Sequence, residues 1–359
     1  MRLLVSFIGL VLVLLTLWDV FSVMVVTRRA TRQLQLSSLL ISVFRRLYIG
    51  VGRFLQDRSQ RENFLGILGP LLLFVRFALW AVVLMVAFGL LQWGAGERIA
   101  SPDGAASFGT LLYYSGTTFF TVGLGDLAPL DVWPRALNIL EAATGFMFLG
   151  LVISYLPTFY ADFARREARI SQLDAWASSP PTAGELLGRL GREQALPSLD
   201  GFLADWETWS ADVMESHLSY PILALFRSQH EDQSWVSALA TVLDVSALVL
   251  VGIEGVNPRA ARLAFAMARH AAVDLSQVFG RPRREGGVDR LPAIELARLR
   301  SSLSAQGIRL ATGQAADARL FELRAMYEPY LFVLSERLFM PLPKWLPAAD
   351  ARDNWQRTA

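Results

Sequence analysis

Cysteine is absent from this 359-residue chain, which excludes disulfides, thiol catalysis and cysteine-based metal sites. Lysine occurs once, at Lys344, so nearly all of the 34 basic residues are arginines. The formal net charge is only +2, with no basic repeat and no cluster of zinc ligands. The composition therefore predicts no nucleic-acid partner.

Motifs of catalysis and cofactor binding are missing from the sequence as well. It contains no phosphate-binding loop, no Ser/His/Asp set in a recognisable context and no dinucleotide fingerprint. We therefore expect neither an enzyme nor a resident cofactor.

Hydrophobic residues make up 53% of the chain and are concentrated in its first half. Three apolar runs, residues 3–26, 64–93 and 136–160, each reach the ~20 residues that a helix needs to cross the bilayer. The first run lacks an Ala-x-Ala-like cleavage site and is followed by Arg28 and Arg29, so we interpret it as a transmembrane helix. The pattern predicts an all-α membrane protein.

The arginines predict how the chain crosses the membrane. Cytoplasmic segments are enriched in basic residues, which places the amino terminus outside and the carboxyl-terminal half in the cytoplasm. The preference for arginine over lysine is typical of a GC-rich bacterial genome, so we expect the inner membrane of a bacterial cell. The residues that set this orientation are Arg28, Arg29, Arg32, Arg45, Arg46, Arg53, Arg58 and Arg61 after the first span, and Arg165, Arg166 and Arg169 after the third.

The second half of the chain contains helix start and stop signals, which predict a helical domain. Residues 182–185 have the spacing of a capping box, and residues 257–258 read as an N-cap followed by proline. Gly280 and Gly307 are placed as helix stops. Residues 236–251 are apolar enough for a short span, but Asp244 lies in their middle, so we expect a buried core helix of this domain.

The stretch TTFFTVGLGDLAP, residues 117–129, interrupts the apolar pattern. Residues 108–120, which precede its TVGLGD part, are too short to span, and a helix that enters and returns is tolerated only inside protein or beside water. Glycines permit backbone conformations in which successive carbonyls point the same way. Rings of such carbonyls replace the hydration shell of K⁺ in the TVGYG loop of potassium channels.

This segment resembles the selectivity filter of potassium channels of the two-helix pore type, and the resemblance extends over about residues 64–165. It implies a homotetramer in the lipid bilayer, with K⁺ as the permeant ion and one quarter of the filter from each chain. It divides the chain into an extra helix and basic connector (1–62), a pore domain (63–168) and a helical cytosolic domain (169–359). The implied filter residues are Thr121, Val122, Gly123, Leu124, Gly125 and Asp126.

Leu124 departs from the family pattern, which has tyrosine at this position. In the family, the tyrosine hydroxyl ties the filter to aromatic residues of the pore helix, and leucine cannot do so. Potassium-selective relatives such as two-pore-domain channels do carry leucine or phenylalanine here. Two alternatives therefore stay open, a non-selective or Na⁺-permeable channel and a non-conducting membrane sensor. We expect Tyr113, Tyr114 and Phe119 to pack behind the filter.

A gate is predicted in the third run. Gly145 lies where the family often has a hinge glycine, although a small residue there also permits close helix packing. Gly150 and Pro157 are further bending points. No span carries arginine at every third position, so voltage sensing is not expected.

Three charged residues lie inside the apolar runs, where each is costly. Asp19 and Arg76 lie at similar depths from the cytoplasmic side, and we predict that they pair and dock the extra helix. The alternative is that each snorkels or meets water alone. For Glu141 we predict a brace behind the filter, near Thr117 or Asn138.

The cytosolic half contains the only histidines, His217, His230 and His270. With nearby acids they raise the options of metal binding or pH sensing, but ordinary core or surface roles are the prediction. The basic stretch at residues 281–287 is expected to be solvated surface, with anionic lipid headgroups as the alternative. The acids nearest to the histidines are Glu215, Glu231, Asp232 and Asp274.

Overall fold

The structure is a computed structural model, and it describes residues 1–26, 43–44, 46, 48–52, 54–55, 57–96, 99–100, 107–230, 232–280 and 289–347. It divides into two compact units, Met1–Ala161 and Asp162–Ala359. The predicted connector from residue 27 to 62 is described only in part. Glu231 and the basic stretch 281–287 lie outside the described residues.

The first unit is built from helices and one small sheet. The two strands, β1 (Ile99–Ala100) and β2 (Ala128–Pro129), pair antiparallel, with Ile99 opposite Pro129. The long helices are α1 (Arg2–Met24), α2 (Arg58–Ala95), α3 (Phe108–Phe119) and α4 (Val132–Ala177), and the boundary between the units falls within α4.

Helices α1 and α2 run antiparallel with their backbones in close contact. A Cβ added at Gly9 would lie 2.8 Å from the Ala87 carbonyl oxygen and 2.9 Å from the Leu91 nitrogen. At Gly94 it would lie 2.7 Å from the Arg2 carbonyl oxygen. Small residues allow such approach between membrane helices, where dispersion rather than water exclusion drives association. The glycines therefore dock the extra helix along α2.

A hydrophobic cluster joins α1, α2 and α3. Leu84 and Phe88 of α2 are fully buried, and Val13 of α1 and Phe119 of α3 pack with them. The extra helix thus shares a core with the elements that carry the filter-like segment.

Among the described residues, four helices are long and apolar enough to cross a membrane by length and composition: α1, α2, α4 and one helix of the second unit, α7 (Trp235–Gly252). In α7, 83% of the most apolar window is buried inside the protein, against 22–44% in the other three. The all-α membrane fold is confirmed, and the burial of α7 agrees with the prediction of a core helix.

The second unit packs its helices around α7. Thr182 caps the first of them, since its Oγ1 accepts from the Glu185 backbone at 3.2 Å, and Asn257 caps another by accepting from the Arg259 backbone at 3.0 Å. Both caps were predicted. The remaining helices are α5 (Ala183–Arg192), α6 (Leu199–Ser219), α8 (Pro258–Phe279), α9 (Ala293–Ala305), α10 (Gln314–Ala325) and α11 (Glu328–Leu338).

Candidate functional site

Helix α3 is short and ends where the filter-like segment begins. Ser107 caps its start, because Oγ accepts from the Thr110 backbone at 3.2 Å. After Phe119 the chain turns back, and the Val122 and Gly123 nitrogens both donate to the Thr117 carbonyl, at 2.8 and 3.3 Å. The last turn of α3 thereby fixes the start of the returning segment.

The backbone of the returning segment alternates in handedness. Thr121, Gly123 and Gly125 have φ of +56°, +58° and +80°, whereas Val122 and Leu124 between them do not have positive φ. A positive φ is uncommon for a residue with a side chain, so Thr121 is held in a demanding conformation. Alternating signs of φ rotate successive peptide planes. This rotation is required for the carbonyl groups to line up on one side of the segment.

The side chains of this segment face outward from the single chain. Val122 is 57% exposed and Leu124 64% exposed. A Cβ at Gly123 or Gly125 would meet no atom within 4 Å, so conformation, not space, requires glycine at these two positions.

A hydrogen bond connects α3 to the far end of the segment. The Tyr113 hydroxyl donates to Asp126 Oδ2 at 3.0 Å. Tyr113 is 44% exposed, so the bond lies at the surface of this chain. Asp126 is therefore tied back to the helix that precedes the filter-like segment.

Three more residues predicted to lie behind the filter are on α3. Tyr114 is buried beside Leu111 and Leu127, and the Thr117 hydroxyl donates to the Tyr114 carbonyl at 2.9 Å. Phe119 is buried and makes an edge-to-face contact with Phe120, with ring centroids 5.3 Å apart.

Glu141 of α4 is fully buried and joins three helices. Its Oε2 accepts from Gln92 Nε2 of α2 at 2.9 Å, and its Oε1 is hydrogen-bonded to the Ser115 hydroxyl of α3. The prediction placed Glu141 near Thr117 or Asn138. Asn138 accepts from the Thr118 hydroxyl at 2.8 Å, and a contact of Glu141 with Thr117 or Asn138 stays a prediction.

Sequence analysis missed Gln92 and Ser115. Both are polar and fully buried, and burial without a partner is costly for such groups. The available signal was Gln92, a polar residue at the end of an apolar run, but it named no partner, and the pairing across helices appears only in the fold.

The three predicted bending points differ in their surroundings. A Cβ at Gly145 would overlap the Phe119 carbonyl oxygen and lie 2.8 Å from its carbonyl carbon. At Gly150 it would meet nothing within 4 Å. Pro157 lies inside α4, which continues past it to Ala177.

Trp80 lies between the two charges that were predicted to pair. Its indole Nε1 donates to Asp19 Oδ2 at 2.9 Å, and the Arg76 guanidinium lies over its ring, 6.0 Å from the centroid. Asp19 is 1% exposed and Trp80 likewise. Trp80 therefore supplies a polar contact for α1 and a cation–π contact for Arg76. The direct Asp19–Arg76 pair stays a prediction.

The three histidines have separate environments. His230 and His270 are exposed, and His270 Nε2 lies 3.6 Å from Asp274 Oδ2. His217 is 1% exposed. In the described parts of the chain, no group of three or more histidine and acidic side chains is placed to hold a metal ion.

Buried His217 is hydrogen-bonded to Arg166, a residue that the sequence suggested only as a marker of membrane topology. Arg166 Nη1 lies 3.0 Å from His217 Nε2 and donates to the Leu223 carbonyl at 3.1 Å, while Nη2 donates to the Phe226 carbonyl at 2.8 Å. Because arginine can only donate, His217 accepts through Nε2 and is neutral. Burial first, and then the charge of Arg166, hold the His217 pKa well below its usual value.

Comparison with known proteins identifies the class of the first unit. Residues 71–162 match the sequence model of a protein family described as Ion channel. The match includes most of α2, all of α3 and most of α4. This part of the chain is an ion channel domain of the pore-loop type.

The chain is also similar to YdjJ, an uncharacterized membrane protein of Bacillus subtilis (strain 168). The two are 23% identical over 195 residues, which are 53% of this chain and 55% of the relative. The chain thus spans about half the length of the curated relative it matches. No solved structure matches it significantly.

Proposed function

We propose that this protein is a potassium-selective channel that conducts K⁺ passively through a homotetrameric pore, with residues 121–126 of each chain as the selectivity filter. The observation that carries the proposal is the alternating backbone of Thr121–Asp126 inside a pore-loop ion channel domain. In four copies around one axis, the carbonyls of Thr121, Val122, Gly123 and Leu124 and the Thr121 hydroxyl would coordinate the ion.

Selectivity for potassium is favoured by the way the outer end of the segment is held. Leu124 removes the hydroxyl that the family uses to tie its filter to the pore helix. The Tyr113–Asp126 bond connects the same two elements with the roles reversed, because here the hydroxyl belongs to the helix and the acceptor to the filter-like segment. A filter held at both ends can keep the spacing of its carbonyls without a tyrosine at position 124.

Gating is proposed to act through α4. This helix contains Glu141 and Gly145 beside α3, and it continues into the second unit, within which Arg166 donates to the Leu223 and Phe226 carbonyls. A rearrangement of that unit would therefore move the end of the pore-lining helix. The protein is proposed to lie in the inner membrane of a bacterial cell, with the amino terminus outside and the second unit in the cytoplasm.

Ion flux in liposomes tests the proposal. Purified protein is reconstituted and K⁺ and Na⁺ gradients are compared for the wild type, Gly123→Ala and Gly201→Ala. Alanine at Gly123 is strained by its φ of +58°, whereas Gly201 is helical and open. We expect K⁺-selective flux in the wild type and Gly201→Ala, and loss of that flux in Gly123→Ala.

Two outcomes would contradict the proposal. Equal Na⁺ and K⁺ flux in the wild type would support the non-selective channel that Leu124 allows. No flux from tetrameric protein, including protein truncated after Arg169, would support the hypothesis of a non-conducting sensor.

A further inference from the structure

We infer that Gly145 is a contact that couples α4 to the entrance of the filter, rather than a hinge at which α4 bends. The inference rests on the proposed function and assigns to Gly145 a positioning role for selectivity.

Gly145 has no room for a side chain because the backbone of α3 occupies it. An added Cβ would overlap the Phe119 carbonyl oxygen and would lie 2.8 Å from the carbonyl carbon and 3.1 Å from the Cα of Phe119. The obstacle is backbone at the end of a helix, which cannot rotate away as a flexible side chain can. The glycine is therefore explained by close approach of the two helices.

Polar contacts hold the two helices together beside this point. One turn before Gly145, Glu141 is hydrogen-bonded to Ser115, which lies one turn before Phe119. Asn138 accepts from Thr118 at 2.8 Å. Each of these bonds connects α4 to α3, so the helices are fixed along the stretch that includes Gly145.

Phe119 lies close to the filter-like segment, so a contact at Phe119 can affect that segment. Phe119 is the last residue of α3 and precedes the strained Thr121 by two residues. The chain between them is held by the bond from the Thr121 nitrogen to the Thr118 carbonyl at 3.0 Å. A shift of α4 at Gly145 would push the Phe119 carbonyl and be passed directly to the first ion-coordinating residue.

Gly150 provides a matched control in the same helix. A Cβ there would meet no atom within 4 Å, so alanine changes only the backbone freedom of α4. A hinge mechanism expects alanine at either glycine to reduce opening and to leave selectivity unchanged. The contact mechanism expects only Gly145→Ala to alter the filter.

The test is the K⁺/Na⁺ permeability ratio of full-length protein in liposomes for the wild type, Gly145→Ala and Gly150→Ala. We expect the ratio to fall about tenfold or more in Gly145→Ala, because overpacking against backbone displaces it, and to stay at the wild-type value in Gly150→Ala. An unchanged ratio in Gly145→Ala, with reduced flux in both variants, would overturn the contact and favour the hinge.

A second pair of variants tests the same contact if the Gly145→Ala protein does not assemble. Glutamine in Glu141→Gln can still form hydrogen bonds with Ser115 and Gln92, whereas leucine in Glu141→Leu cannot form either bond. We expect the glutamine variant to retain most of the wild-type ratio and the leucine variant to lose it. A wild-type ratio in an assembled Glu141→Leu channel would count against coupling through this stretch.

The wild type separates this inference from the proposed function. A wild type without K⁺ preference overturns the proposed selectivity. In that case total flux tests the contact, which requires Gly145→Ala and Glu141→Leu to be impaired while Gly150→Ala conducts normally. A selective wild type with a selective Gly145→Ala variant overturns the contact alone.

Discussion

The bond between Tyr113 and Asp126 connects α3 to the far end of the filter-like segment. Removing the hydroxyl in Tyr113→Phe or the negative charge in Asp126→Asn should weaken the same interaction. We therefore expect each change to lower the K⁺/Na⁺ permeability ratio, and the double variant to lose no more than the larger single effect. Since the bond is exposed, each loss should be less than about tenfold.

A double-mutant cycle on the permeability ratio measures this coupling. Fully additive effects of the two substitutions would mean that Tyr113 and Asp126 act independently. Phe108→Leu, a change on the same helix that leaves both groups in place, is the control.

His217 makes the stability of the protein depend on pH. Its pKa is well below 6.5 in the folded state because of burial and Arg166, whereas the unfolded chain has an ordinary histidine. Below pH 6.5 the unfolded state binds a proton that the folded state does not. The free energy of unfolding should therefore fall by about 1.4 kcal/mol for each pH unit below 6.5, until the folded-state pKa is reached.

Thermal unfolding of full-length protein between pH 7.5 and 5 measures this dependence. In His217→Gln the side chain does not titrate, so the loss of stability on acidification should be smaller than in the wild type. His270→Gln removes an exposed histidine and should leave the wild-type dependence intact. An identical pH dependence in wild type and His217→Gln would show that other groups are responsible.

At the scale of the element, α7 combines a nearly continuous apolar sequence with a buried charge. Asp244 accepts from Arg290 Nη2 at 2.6 Å and from the Tyr327 hydroxyl at 2.6 Å, and Arg290 also bonds Glu328 at 3.2 Å. Removing one member of a buried ion pair leaves the other uncompensated. We therefore expect Arg290→Met to destabilise the second unit by about 3–5 kcal/mol.

Arg300→Met is the matched comparison for this prediction. Arg300 bonds Asp317 at 2.6 Å, but Asp317 is half exposed, so the loss should be about 1 kcal/mol. Denaturant unfolding of the full chain, followed by tryptophan fluorescence, compares the two variants. Equal losses would mean that burial of Asp244 does not control the stability of α7.

The docking of α1 depends on a position where only glycine fits. Gly9→Val would place side-chain atoms against the backbone at Ala87 and Leu91 and should separate α1 from α2. The expected loss is about 1–3 kcal/mol or more, as for overpacking of a core. Leu10→Val alters an exposed neighbour on the same helix and should cost little; equal melting temperatures of the two variants would contradict this docking.

These elements show what the sequence could predict. Helix caps such as Thr182 and Asn257, the apolar runs and the conspicuous Asp244 are local signals, and each led to the correct element. The partners of Glu141, Asp244 and Arg166 include residues far away in the sequence, and periodicity within one helix contains no information about them. The positive φ of Thr121 was equally hidden, because threonine does not by itself indicate a left-handed conformation.

In a single copy of the chain, several large apolar side chains of the first unit are exposed. Val122 and Leu124 of the filter-like segment are more than half exposed, as are Ile139 and Phe146 of α4. A tetramer would enclose the filter-like segments around its axis, so native mass spectrometry should give a complex of about four times 39.8 kDa. A monomer or dimer under conditions that support flux would contradict the proposed pore.

Binding of K⁺ to the proposed tetramer should raise its thermal stability. A ligand that binds only the folded filter stabilises it by RT ln(1 + [L]/Kd), which is about 2.7 kcal/mol when its concentration is 100 times Kd. The tetramer should therefore melt at a higher temperature in K⁺ than in Na⁺ at equal ionic strength. Gly123→Ala should abolish the difference and Gly201→Ala should keep it. Equal melting temperatures for the wild type in the two salts would mean that the segment does not discriminate between the ions, even if the complex is a tetramer.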